Sequence, residues 1–393
     1  MFRYDQARQV LTVGAGTIAT VPDELTALSA RSVCLVGSPR SLASAAGQAT
    51  REALRGFDVR HEFGKIAPHA PITDTEAMAR QLRDDPPDAL VAVGGGSVSD
   101  TAKALSILLA EGFPLEAKCS TFTPPDVLKH VQLDQPKIPV LTIPTTLSGA
   151  EVTPGGGATD ARGIKRVFWD QKVASRVVVY DPELFTDVPA ELLLTTGMNG
   201  LAHCAEALYS KSASPFTDAL AAEGARRFAE TLPRIGGATG PLPVDLLEDA
   251  LTAAAIGGLV ISNARVGLHH AVCHVLGAAY GVPHGVANSV MLPYVLEYNH
   301  DHTEAKQAIL ARALGEGLGE TGRAAVLAAT VQRRAGVPRT LADTGLAESD
   351  LARVAEEVMQ DRGLFFNPKG VPGAGAVLGV LRRAWTGTVT GAA

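Results

Sequence analysis

The 393 residues carry 35 Lys and Arg against 41 Asp and Glu, a formal charge of −6, with 46% hydrophobic and 19% charged residues. With 40 Gly and 24 Pro that follow no period, this composition excludes collagen-like, coiled-coil and disordered chains, and the length suits two domains of ordinary size. The absence of a basic surplus or an Arg/Lys run argues against a binder of nucleic-acid backbone, so the expected partner is a small molecule.

The N-terminus, Met-Phe-Arg-Tyr-Asp-Gln, has early charges of both signs and no apolar leader segment. Short β-branched runs then alternate with helical patterns. Ser32 to Gly37, Ala89 to Val93, Val140 to Ile143 and Val177 to Tyr180 are continuous apolar runs, as expected of strands covered on both faces of a parallel sheet. Turn chemistry follows each, at Gly37-Ser38-Pro39, Gly94 to Ser97, Pro144-Thr145-Thr146 and Asp181-Pro182. Ligands of such sheets bind at these strand ends.

Beyond Glu191 the pattern is helical and rich in Ala and Leu, with no convincing strand. The fold class expected is an α/β N-terminal domain with a Rossmann-like parallel sheet (1–184), followed by an all-α C-terminal domain (185–393), with Asp181 to Pro189 as the linker. The longest apolar stretch, Leu251 to Ile261, falls far short of the roughly 20 residues a membrane span requires. Cys34, Cys119, Cys204 and Cys273 are scattered without a Cys-X-X-Cys pair, so no disulfide framework or thiolate zinc site is expected and a reducing cytoplasm fits.

Two stretches carry chemistry. The first is Gly94-Gly95-Gly96-Ser97 before a helix with apolar Val98, Ala102, Leu105 and Leu109. Glycines let backbone approach a pyrophosphate, Ser97 is placed to cap the helix, and the helix start attracts an anion. A tight structural turn is the competing reading, since neither the Lys of a P-loop nor a G-x-G-x-x-G pattern is present. The second is histidine-rich. His270 and His274 are one helical turn apart, Asn199 and His203 show the same spacing, and His284 follows Pro283 at a turn. Two helices each offering a donor pair, plus one turn histidine, suit a divalent metal of imidazole type or a cluster acting directly on substrate. His61, His69, His130, His300 and His302 read as solvent residues.

GGGSVSDTAKAL (94–105), IPTTLSGAEVTP (143–154), VVVYDPEL (177–184), GMNGLAHCAEALYS (197–210) and the stretch from Gly267 to Asn299 resemble the iron-containing alcohol dehydrogenase family, whose fold is dehydroquinate synthase-like. The short PTTLSGAEVTP loop, Asn199 where alcohol dehydrogenases have a metal-binding Asp, GLHHAVCH and Asn367-Pro368-Lys369 look like its maleylacetate reductase branch. That branch reduces maleylacetate to 3-oxoadipate with NADH or NADPH, in aromatic-compound breakdown.

The resemblance implies a dinucleotide held by Ser38, Gly95, Gly96, Ser97, Asp100, Thr145, Thr146, Ser148 and Lys165, with His274 beside the nicotinamide. It places family metal ligands on Asn199, His203, His270 and His284, for Fe(2+) or Zn(2+) that is weakly held or dispensable, and implies catalytic His274, His270 and His203. The expected substrate is an oxo or enoic carboxylic acid, and the expected assembly a homodimer. With Ser38 where an Asp would repel a 2′-phosphate, and Arg40 nearby, NADPH is expected beside NADH. Asp100, His284 to Asn288, and Ala271 after the double histidine are nearer the alcohol dehydrogenase pattern, which keeps a metal-dependent alcohol dehydrogenase or aldehyde reductase as the alternative. A dehydroquinate-synthase-type lyase and a non-catalytic nucleotide binder are the remaining readings.

Overall fold

In the computed structural model, which describes residues 2–124 and 126–389, the N-terminal half builds a six-stranded sheet. Its strands are β1 (Val10–Val13), β2 (Ser32–Gly37), β3 (Asp58–Phe63), β4 (Ala89–Gly94), β7 (Val140–Pro144) and β10 (Val177–Tyr180), in the order β1-β10-β7-β4-β2-β3 and parallel throughout. Two antiparallel hairpins, β5 (Thr121–Thr123) with β6 (Val127–Lys129) and β8 (Gly155–Thr159) with β9 (Lys165–Trp169), interrupt the chain order. The helices of this half are α1 (Val21–Ala27), α2 (Pro39–Ala43), α3 (Ala45–Ala53), α4 (Ile72–Leu82) and α5 (Gly96–Glu111).

The four apolar runs are the buried strands expected, with every residue of β2, β4, β7 and β10 buried. Sequence reading missed both edge strands. β3 is Asp-Val-Arg-His-Glu-Phe, largely exposed, and an edge strand need not be apolar.

The strand order reverses beside β4. From β2 the chain moves outward to β3, whereas from β4 it crosses to β7 and on to β10. Ligands of open parallel sheets enter the crevice at such a switch point, here between the ends of β2 and β4.

From Ala190 onward the described structure is helical: α6 (Ala190–Tyr209), α7 (Pro215–Gly236), α8 (Val244–Ala264), α9 (Leu268–Tyr280), α10 (His284–Leu318), α11 (Ala324–Ala335), α12 (Leu351–Val358) and α13 (Ala374–Thr386). Among the described residues no helix is long and apolar enough to cross a membrane, and all four cysteines are free and buried. The segment from Asp181 to Pro189 is no loose tether. Leu184 and Phe185 are buried, and the Asp181 carboxylate accepts the N–H groups of Gly16, Ile18 and Glu183. The loop after β7 also touches the helices directly: a Cβ on Gly149 would lie 2.4 Å from the Ala254 carbonyl oxygen of α8, which only glycine avoids. One apolar core, from Val21 to Val389, includes residues of both halves.

A buried cation fixes the turn after that loop. Lys103 of α5 is fully buried, and its Nζ donates to the carbonyls of Ala150 at 2.7 Å, Thr153 at 2.8 Å and Gly155 at 3.1 Å. Burial brings its pKa down to about 8. Lys103→Met would leave those acceptors unmatched, so we expect a loss of about 3 kcal/mol, read as a lower urea midpoint at unchanged slope.

Candidate active site

A cavity of about 860 Å³ opens over the ends of β2 and β4 and reaches the histidines of the helical half. At its sheet end, Gly94 has φ +152°, and a Cβ on Gly95 would lie 2.8 Å from Thr146 Cγ2, so backbone is exposed where side chains would close the crevice. The first N–H groups of α5 have no partner within the helix and form an anion seat. Ser97 does not cap the helix as expected. The N-cap is Gly95, without a side-chain cap, and Ser97 Oγ instead accepts the His69 N–H at 3.0 Å.

Ser38, Gly95, Gly96, Ser97, Asp100, Thr146, Ser148 and Lys165 all line this cavity, and Thr145 does not. Thr145 is buried and its N–H is held by the Gly94 carbonyl, which joins the two loops as the Gly94–Pro144 register requires. Arg40 joins Ser38 on the wall. Asp100 feels the charge of Lys103 and, more weakly, that of Lys165. Burial raises the Asp100 carboxyl and lowers the Lys165 ammonium, and each opposes the other's shift. His69, read from sequence as a solvent residue, lines the cavity in left-handed backbone.

At the far end four histidines converge. The His203 ring from α6 stacks on His270 from α9 at 4.8 Å, His274 lies 6.0 Å from His270, and His284 at the start of α10 lies 5.9 Å from both His270 and His274. Burial lowers the pKa of each, to about 3 in His203, and in His274 the Asp361 carboxylate opposes that shift.

Two acids that sequence reading missed set the tautomers. Glu206, three residues after His203, is fully buried, and burial raises its pKa to about 8. Its Oε1 accepts the N–H groups of Gly267 and His269, while Oε2 is 2.6 Å from His270 Nδ1. His270 Nε2 is 3.1 Å from Asn199 Oδ1. An amide oxygen only accepts, so Nε2 carries the hydrogen, Nδ1 accepts, and a protonated Glu206 Oε2 donates to it. Asp361 Oδ2 takes the hydrogen of His274 Nδ1 at 2.9 Å.

Glu206, His269 and His270 bring one ligand atom each within 4.8 Å of one another, but Glu206 and His270 bond each other and His269 Nε2 donates to the Asn288 carbonyl. That group is a closed hydrogen-bond network. The set Asn199, His203, His270 and His284 offers three imidazoles and a neutral amide oxygen, donors that fit a divalent ion but, without a carboxylate, hold it less tightly.

A glycine-opened helix start at a switch point, facing a histidine cluster across one cavity, is the arrangement of a dinucleotide-dependent oxidoreductase. Family models agree: iron-containing alcohol dehydrogenase matches residues 9–182, and the Fe-containing alcohol dehydrogenase family C-terminal model matches 193–385. The chain belongs to the iron-containing alcohol dehydrogenase family. It is 30% identical over 370 residues to maleylacetate reductase 1 of Cupriavidus pinatubonensis, covering 94% of this chain and 93% of that one. The crystal structure of maleylacetate reductase from a Rhizobium species superposes with a TM-score of 0.82 at 28% identity, covering 99% of each chain. A 1,3-propanediol oxidoreductase structure gives 0.89 at 29% identity, covering 98% of this chain and 100% of that one.

Proposed function

We propose that the protein is an NAD(P)H-dependent reductase of the maleylacetate type, converting maleylacetate to 3-oxoadipate. The observation that carries this reading is the contact of Asn199 Oδ1 with His270 Nε2, which puts neutral amide and imidazole N–H chemistry where an alcohol dehydrogenase of this family would need a carboxylate for its metal. The likeness to maleylacetate reductases over nearly the whole chain supports it.

In this reading Gly95, Gly96 and the start of α5 hold the pyrophosphate, and Thr146, Ser148 and Lys165 face the ribose and nicotinamide. The bound cofactor supplies a hydride to the alkene carbon β to the substrate ketone. Negative charge then develops on the ketone oxygen, and the imidazoles of His203 and His284, which line the cavity against His270, stand as its N–H donors. His274, its Nδ1–H fixed by Asp361, presents Nε2 as the proton carrier for the α carbon. The Asp361 carboxylate favours the charged imidazole that delivers this proton.

The reading includes use of NADPH beside NADH, because the cavity wall holds Ser38 and Arg40 and no acid at the end of β2. It assigns the dinucleotide to 1–184 and the reacting groups to 185–393, in a cytoplasmic homodimer. The likeness to 1,3-propanediol oxidoreductase favours a second reading, a metal-dependent alcohol dehydrogenase or aldehyde reductase. NADH oxidation separates the two: we expect turnover with maleylacetate, little with simple aldehydes, and full activity after exhaustive chelation. Aldehyde turnover that disappears with EDTA and returns with iron or zinc would establish the second reading instead.

A further inference from the structure

Beyond the histidines the cavity wall carries two guanidinium groups, of which only Arg362 is near an acid, Asp361, whose charge acts on it without forming an ion pair. Arg265, just after α8, has φ +68° and ψ 170°, a backbone region that is essentially restricted to glycine and persists in other residues only where the surroundings impose it. Its Cζ lies 3.8 Å above the Trp169 ring, and its Nη1 is buried with no hydrogen-bond partner. Arg362 Cζ lies 5.9 Å from the same ring. Both arginines and Trp169 line the cavity.

Among the described residues neither guanidinium has an ion pair. The acid adjacent in sequence to Arg362, Asp361, is engaged by His274 at 2.9 Å. Burial lowers the pKa of both groups, that of Arg265 to about 9, and Arg362 adds repulsion to Arg265. Two desolvated like charges against one ring face are costly unless an anion joins them, and a guanidinium fork matches a carboxylate.

Their position identifies which anion. The pyrophosphate seat lies at the start of α5, whereas Arg265 is five residues before His270 and Arg362 follows the Asp361 that holds His274. We propose that Arg265 and Arg362, set against Trp169, form the subsite that takes one carboxylate of the substrate and selects a dicarboxylate over a neutral carbonyl compound. This deepens the maleylacetate-type reading and rests on it for the identity of the acid.

The probe is adipate, a saturated six-carbon dicarboxylate that cannot be reduced, titrated calorimetrically into the NAD-loaded enzyme. Arg265→Gly is the main variant, because it removes the charge and relieves the backbone strain. Arg362→Leu is the second. Each is expected to weaken adipate at least 10-fold and to raise KM for maleylacetate far more than it lowers kcat, while NADH affinity, followed by its fluorescence, stays at the wild-type value. Wild-type enzyme that does not bind adipate, variants that bind it equally well, or a parallel loss of NADH affinity would each overturn the subsite. Adipate binding lost in the variants of an enzyme that does not turn over maleylacetate would uphold the subsite and remove the maleylacetate assignment alone.

Discussion

Replacing His274 with Ala is expected to lower kcat by roughly 10²- to 10⁴-fold, the range general acid catalysis supplies, with NADH affinity held within a few-fold. The imidazole is the cavity histidine whose partner is an ionised acid: Asp361 accepts its Nδ1 hydrogen at 2.9 Å, and both charge and hydrogen bond raise its proton affinity against the pull of burial. Asp361→Asn keeps the shape and removes the charge, so kcat should fall by a smaller factor, about 10-fold or more, through a proton carrier that is less readily charged. Stopped-flow single turnovers with maleylacetate give the rate of the chemical step directly. Near-normal turnover in His274→Ala would falsify the assignment of the proton to this residue.

Asn199→Asp should change the chemistry of the site. In the native chain the amide oxygen accepts from His270 Nε2 and the amide nitrogen donates to the Ser148 carbonyl at 3.3 Å. A carboxylate at the same place brings a full negative charge against three imidazoles. At an effective dielectric of about 20, one charge near 4 Å from a cation contributes about 4 kcal/mol per unit charge, so about 8 kcal/mol, or on the order of 10⁶-fold in affinity, for a divalent ion. The same charge repels a dicarboxylate substrate. The variant is therefore expected to retain zinc through gel filtration, by elemental analysis, and to lose kcat/KM for maleylacetate by at least 10². Unaltered zinc content together with an unaltered reductase rate would show that position 199 does not decide between the two chemistries.

Much of this site can be read along the chain, and the parts that cannot share a physical reason. Apolar strands β2, β4, β7 and β10 declare themselves because both faces are buried, whereas β3 carries Arg60, His61 and Glu62 at an edge and has no run to recognise. β8 begins with three glycines, which read as loop until β9 is found pairing with it. Asn199, His203, His270 and His274 are legible because helical spacing alone puts partners one turn apart. Glu206 and Asp361 are not, since an acid acquires meaning only from what it faces: Glu206 lies 64 residues from His270, which it meets at 2.6 Å, and Asp361 lies 87 residues from His274. Arg265 and Arg362 are likewise ordinary in sequence and become unusual through burial in the cavity wall with no ion pair among the described residues.

The pinned connection around Asp181 and the close approach of Gly149 to α8 have a consequence for how molecules enter and leave. A core shared by both halves, with Gly149 set tightly against α8, resists their parting, so traffic passes through a mouth lined by individual side chains rather than past a swinging half. Residues at that rim, His69 and Arg40 among them, would then set the pace of nucleotide exchange without touching the reaction itself.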